Sequence, residues 1–192
     1  MDTRKILALI ALLSLAGLAS CIERPASPRE KRERFDRSGM NDVVLREAPA
    51  FPKRVGAIFG DAVELMGIDF QPAEPHAGDS VEVSFYYRVI DEAEEDWKIF
   101  VHVDDHGGHG DRINKDHWPA NERYRTNYWR RGEFVKDTWK LSIPGYYQGD
   151  GYDLWTGFYQ EGKDDRWPLS NRATVQNDGQ NRVLAGMVPV RP

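Results

Sequence analysis

The side chains best suited to chemistry are concentrated between His102 and His117. His102-Val103-Asp104-Asp105-His106-Gly107-Gly108-His109-Gly110-Asp111 is followed shortly by Asp116-His117-Trp118-Pro119, so four of the five histidines share one stretch with several carboxylates. Imidazole and carboxylate together form a ligand set for zinc or another divalent cation, and His102, Asp104, His106 and His109 are the metal candidates. A metal-dependent hydrolase built on His102, Asp104, His106 and His117 is one reading, and it needs fixed ligands plus an open coordination position. The spacing is unspecific, with no His-Glu-x-x-His, and Gly107, Gly108 and Gly110 make a mobile platform. A solvated hairpin connection is the simpler reading, so no metal and no cofactor is expected.

Two residues break the local pattern. His102 sits within Trp97-Lys98-Ile99-Phe100-Val101-His102-Val103, on the side of Phe100 and opposite Ile99, Val101 and Val103. From there it is placed to reach Asp116 across a hairpin or to meet a ligand. Asp137 falls on the side of Val135 and Trp139, an inward position where a carboxylate needs partners or costs several kcal/mol. Backbone N–H groups or a histidine from the His102–His117 stretch are the expected partners, which makes Asp137 structural. Tyr124, Tyr128 and Trp129 offer a platform on which a sugar ring could stack, while Trp97, Trp139 and Tyr87 are assigned to the core. The ligand-binding candidates are therefore His102, Asp116, His117, Tyr124, Tyr128 and Trp129, with no catalytic residue assigned.

The frame for these residues reads as β-structure. From Asp79 to Val89 the residues Val81, Val83, Phe85, Tyr87 and Val89 share one face. The same alternation runs through Trp97 to Val103 and through Glu133 to Ile143. Val63 to Phe70, Tyr152 to Gln160 and Arg182 to Val188 are further strands, separated by turn signals such as Pro144-Gly145 and Gln148-Gly149-Asp150-Gly151. No segment sustains a helical period. One-faced strands must cover each other, so residues 55–192 are expected to form an all-β, antiparallel β-sandwich, immunoglobulin-like or jelly-roll-like.

Composition agrees with a single domain. The chain has 192 residues, of which 40% are hydrophobic and 30% charged, which excludes collagen-like, disulfide-rich and wholly disordered classes. An acidic pI near 5.6 argues against nucleic acid as a partner, since a nucleic-acid-binding face typically goes with a pI above about 9.

The first residues carry an address. Arg4-Lys5 precedes the apolar run Ile6 to Gly17, too short for the roughly 20 residues of a membrane-spanning helix but built like a secretory signal. It ends in Leu18-Ala19-Ser20-Cys21, which resembles the lipobox of bacterial lipoproteins at all four positions. The resemblance implies that residues 1–20 are a signal peptide, that a diacylglyceryl group is attached to the Cys21 thiol, and that cleavage leaves Cys21 first. Cys21 is the only cysteine, so no internal disulfide competes for it. Ile22 in place of the Asp that retains such proteins at the inner membrane favours the outer membrane of the cell envelope. Residues 21–54, with prolines and mixed charge, are expected to be a flexible, disordered tether. Glu30, Glu33 and Asp36 there offset the basic residues that might otherwise dock on anionic headgroups.

A second resemblance covers about Val63 to Leu169. Leu65-x-Gly67-x-Asp69, Pro75-x-Ala77-Gly78-Asp79, Phe100-Val101-His102-Val103, Asp116-x-x-Pro119, Trp129-x-x-Gly132-Glu133-x-x-x-Asp137 and Gly151-Tyr152-Asp153-Leu154-Trp155-Thr156-Gly157-Phe158-Tyr159 follow in order. This series resembles the small β-sandwich domain appended to bacterial membrane glycosyltransferases of the dolichyl-phosphate-mannose mannosyltransferase type. It implies a sandwich in which His102, Asp116, Trp129 and Asp137 occupy recurring positions. The chain departs from that pattern in lacking a glycosyltransferase portion and in carrying the histidine-rich loop. The leading expectation is a lipid-anchored, non-catalytic module that binds a glycan or an envelope protein; the metal-dependent hydrolase and a structural assembly component are the alternatives.

Overall fold

The computed structural model describes residues 24–108 and 110–192. The signal segment, the lipobox, Cys21 and the metal candidate His109 lie outside the described residues. In chain order the strands are β1 (Val44–Leu45), β2 (Lys53–Phe59), β3 (Val63–Gln71), β4 (Ser80–Val89), β5 (Lys98–Asp105), β6 (Ile113–Asn114), β7 (Phe134–Ser142), β8 (Gly151–Tyr159) and β9 (Val183–Pro189). They form a five-stranded sheet in the order β1-β7-β4-β3-β2 and a four-stranded sheet in the order β6-β5-β8-β9. All strand pairings are antiparallel, and the two layers make the expected all-β sandwich.

Period-two alternation produces this arrangement directly. Val81, Val83, Phe85, Tyr87 and Val89 of β4 are buried, as are Ile99, Val101 and Val103 of β5 and Leu154 and Phe158 of β8. Tyr87 bridges the layers, with its ring 5.5 Å from Phe158 and 5.4 Å from Trp129. Burial of this apolar surface is the main favourable term, at about 25 cal/mol per Å². The outward residues of β4 depart from the pattern in the middle: Tyr86 is covered by Phe51, and Ser84 hydrogen-bonds to Thr138 on β7 at 3.1 Å.

The supposed tether is the main correction. Residues Pro28–Arg34 form a helix, α1, opened by Ser27, whose hydroxyl accepts from Glu30 N while the Glu30 carboxylate accepts from Ser27 N. Arg32 is buried and donates to the carbonyls of Ala93 at 2.8 Å and Asn127 at 3.3 Å, with Glu92 3.1 Å away. Phe35 stacks on Tyr128 at 4.3 Å, Val43 enters the core, and β1 pairs with β7. The segment thus docks through the guanidinium groups of Arg32 and Arg37, the latter 2.6 Å from Glu133, and a few separate apolar residues, with no apolar stripe that a periodic pattern would display. The domain also begins before Val55, because β2 starts at Lys53; Gly56, at φ +71°, and the register shift between Arg54 and Ala57 hide its alternation.

Candidate functional site

The stretch Ile113–His117 lies along the edge of β5 and distributes the candidate residues to two sides of the sheet. Asn114 pairs with His102 in register, Lys115 N donates to Val101 O at 2.8 Å, and His117 and Ile99 exchange backbone hydrogen bonds at 2.9 and 3.0 Å. Alternation therefore sends Asn114 and Asp116 to the face of Phe100 and His102, and turns His117 between the layers.

There His117 meets Asp137. Its Nε2 lies 2.7 Å from Asp137 Oδ2, and its Nδ1 lies 2.6 Å from the Lys115 carbonyl oxygen. Asp137, fully buried on β7, also accepts from Ala120 N at 2.7 Å, so both kinds of partner expected for it are present. A carbonyl oxygen and a carboxylate can only accept, so the ring satisfies both as an imidazolium donating from each nitrogen. Burial alone would pull His117 down. The hydrogen bond and charge of Asp137, with smaller contributions from the Lys115 carbonyl and Asp116, outweigh it and hold the imidazole above its ordinary value. With both nitrogens engaged, the ring has no lone pair to give a metal or to take a substrate proton, although it is the best histidine–carboxylate pair in the fold.

His102 and His106 are held separately. Arg182 Nη1 is 3.1 Å from His102 Nδ1, and a guanidinium can only donate, so His102 is neutral with its proton on Nε2. Burial lowers its proton affinity, Arg112, Arg182 and Arg166 add to that, and Asp116 opposes it. Asp104 is gripped by both prongs of Arg112 at 2.6 and 3.2 Å, and His106 pairs with Asp153 at 3.0 Å. His102 and Asp104 share Arg182, whose Nη1 lies 3.6 Å from Asp104 Oδ2, while His106 and His117 face Asp153 and Asp137, against the convergence that the hydrolase reading requires. Among the described residues no group of three histidine, cysteine or carboxylate side chains could hold a metal ion. His102 and Asp116 do line one recess, of about 170 Å³, with Phe100, Tyr159 and Arg166, but Asp116 Oδ1 accepts from Val101 N at 3.1 Å instead of bonding to the histidine.

The aromatic platform is overturned. Tyr124 and Trp129 are 0% and 1% exposed, respectively, and Tyr128 lies beneath Phe35. Tyr124 Oη donates to Glu133 and the Trp129 indole donates to Tyr124 O at 2.9 Å, which makes the group a packed corner of the sandwich. Such packing is the expected fate of large rings with one polar handle, and the helix α1 that covers them was not anticipated.

Accessible aromatic rings instead line the outer face of the four-stranded sheet. Trp155 stands beside His102 in register, and Tyr159 beside Lys98. Arg182 lies 4.7 Å over the Trp155 ring and Arg166 4.8 Å over Phe100, distances at which cation–π attraction holds the guanidinium on the ring. Phe100 is flattened onto β8 because Gly157 lies below it; a Cβ there would come within 2.6 Å of Phe100 Cζ. The signal for this face was available, since alternation through Tyr152 to Gln160 puts Trp155 and Tyr159 opposite Leu154 and Phe158. Around the β5 edge, a larger groove of about 750 Å³ is lined by His117 and Trp139 together with several lysines of β7 and the β5 flank.

No family model matches the chain, and no curated protein matches it.

Proposed function

We propose that the chain is a lipid-anchored binding module of the bacterial cell envelope, tethered through Cys21 to what is most consistently the outer membrane, and that it takes a glycan on the outer face of its four-stranded sheet. The observation that carries this reading is the set Trp155, Tyr159 and His102, overlaid by Arg182 and flanked by Asp116, on a sheet face that would ordinarily alternate to small polar residues. Flat rings receive the apolar side of a sugar, and the guanidinium, carboxylate and imidazole N–H bond to its hydroxyls. In the sandwich appended to membrane glycosyltransferases, which the chain resembles, His102 and Asp116 match recurring positions, and that supports this face as the site. The commitment of both His117 nitrogens to acceptors supports a binding role over a catalytic one.

The test is retention of the detergent-solubilised full chain on immobilised polysaccharide purified from a bacterial envelope. Trp155→Ala and Arg182→Ala should each cut retention several-fold while melting stays cooperative. Equal retention of both variants and the parent would remove the outer face from consideration.

A further inference from the structure

The groove around the β5 edge has a composition that the glycan reading does not use. Four cationic side chains line it, Lys115, Arg123, Lys136 and Lys140, with His117 matched by Asp137, against three carboxylates, in a chain whose net charge is -5. Arg123 is engaged by Asp42, and Asp116 accepts from Val101 N. Glu82 stands opposite Lys140 in strand register. Among the described residues the ammonium groups of Lys115, Lys136 and Lys140 form no ion pair. A surface that needed these lysines only for solubility would have no reason to gather them at one recess.

Trp139 gives a second, independent indication. It lines the same groove, it is 7% exposed, and its indole Nε1 is buried without a hydrogen-bond partner among the described residues. A buried donor left unpaired is costly, and of the six buried side-chain atoms without a partner among the described residues this one alone belongs to a residue lining the groove. The Trp139 ring lies 6.4 Å from that of His117, and both residues line the groove. Ammonium and indole N–H groups donate and cannot accept. The complementary ligand group is rich in acceptors and negatively charged.

We propose that this groove binds the anionic substituents of an acidic glycan, carboxylate or phosphate, with the lysines 115, 136 and 140 holding the charge and Trp139 in its wall. The inference rests on the glycan reading for the polymer, but its anion chemistry stands on the groove alone. Asp116 lines both the groove and the outer-face recess, so one chain of sugars can run from the rings to the lysines around the sheet edge.

The experiment follows the indole N–H resonances of the 15N-labelled, detergent-solubilised full chain, with the Trp139 signal assigned by its loss in Trp139→Phe. A uronic-acid oligosaccharide, inorganic phosphate and a neutral oligosaccharide are titrated at low salt. Movement of the Trp139 signal with the uronic-acid oligosaccharide, with phosphate or with both, but not with the neutral oligosaccharide, supports the proposal, and the tighter probe distinguishes carboxylate from phosphate. The triple variant Lys115→Gln, Lys136→Gln and Lys140→Gln, which changes only charge at accessible positions, should weaken binding roughly tenfold or more. A Trp139 signal that stays fixed with both anions, or equal affinity in the triple variant, overturns it. Trp155→Ala should leave phosphate binding unchanged, so failure of the outer face and failure of the groove are read separately.

Discussion

Replacing Asp137 tests the central structural claim, that a buried aspartate and a protonated His117 lock the β5 flank to β7. In Asp137→Ala the Ala120 N–H loses its acceptor and the imidazolium loses its counter-charge in a buried setting. Breaking a buried pair from one side costs about 3–5 kcal/mol. At about 2–4 °C per kcal/mol for a chain of this size, melting should fall on the order of 10 °C. Asp137→Asn is more telling. Its amide oxygen can still accept from Ala120, while its NH₂ can donate to a neutral His117 that keeps Nδ1–H on the Lys115 carbonyl. In the parent, the proton affinity of His117 is raised on folding. The folded state then binds more protons, so this contribution is complete below about pH 6.5 and is lost as pH rises through the raised value, with a slope of at most about 1.4 kcal/mol per pH unit. In the Asn variant burial dominates and lowers the folded value, and the contribution is lost as pH falls instead. Urea melts of both proteins between about pH 5.5 and 8.5 should diverge with opposite slopes from this residue. His102, whose proton affinity is lowered, adds the same term to both and cancels in the difference. Parallel profiles would mean that His117 is neutral in the fold and that the dual-donor assignment is wrong.

Two further outcomes are expected. Cys21→Ala should block lipid attachment and processing, seen as an unshortened chain or as release from the membrane fraction; a shortened variant still fractionating with membranes would refute anchoring through that thiol. Arg32→Ala should destabilise the domain by about 1.5–3 kcal/mol, the range for hydrogen bonds to a charged donor, and speed proteolysis near α1, whereas an unchanged melt would show that the helix rests on the sandwich without supporting it.

Six of the nine strands were legible: β4, β5 and β7 keep one face apolar through the period of two, as Val81, Val83, Phe85, Tyr87 and Val89 do, and β3, β8 and β9 read as apolar runs between turn signals although their pairings carry register shifts. The others fail that test for identifiable reasons. β1 and β6 have two residues each, too few to show a period, and the bulge at Gly56 shifts β2 out of register halfway along. α1 escaped because its docking depends on a buried arginine, and charge in a sequence is ordinarily evidence for solvent. The carbonyls of Ala93 and Asn127 that make Arg32 burial tolerable belong to loops far along the chain, and no local pattern contains them.

The same distinction separates the readable from the unreadable parts of the site. Asp137 was legible as a structural carboxylate because a charge on an apolar face must find donors, whatever the fold supplies. Tyr124, Tyr128 and Trp129 were misread because a sequence shows that rings are near one another but not what covers them; Phe35, just past the end of α1, packs on the two tyrosines. The histidine-rich stretch looked like a metal site through residue type alone, while function as ligands depends on which lone pairs remain free. Arg182 takes one from His102, and Asp137 with the Lys115 carbonyl require both nitrogens of His117 as donors. Those partners come from β7, from the start of β9 and from the histidine's own backbone neighbourhood. The chemistry available at a histidine in this sandwich is thus decided by sheet register, and along the groove the residues left with unused donors are Trp139 and the lysines around it.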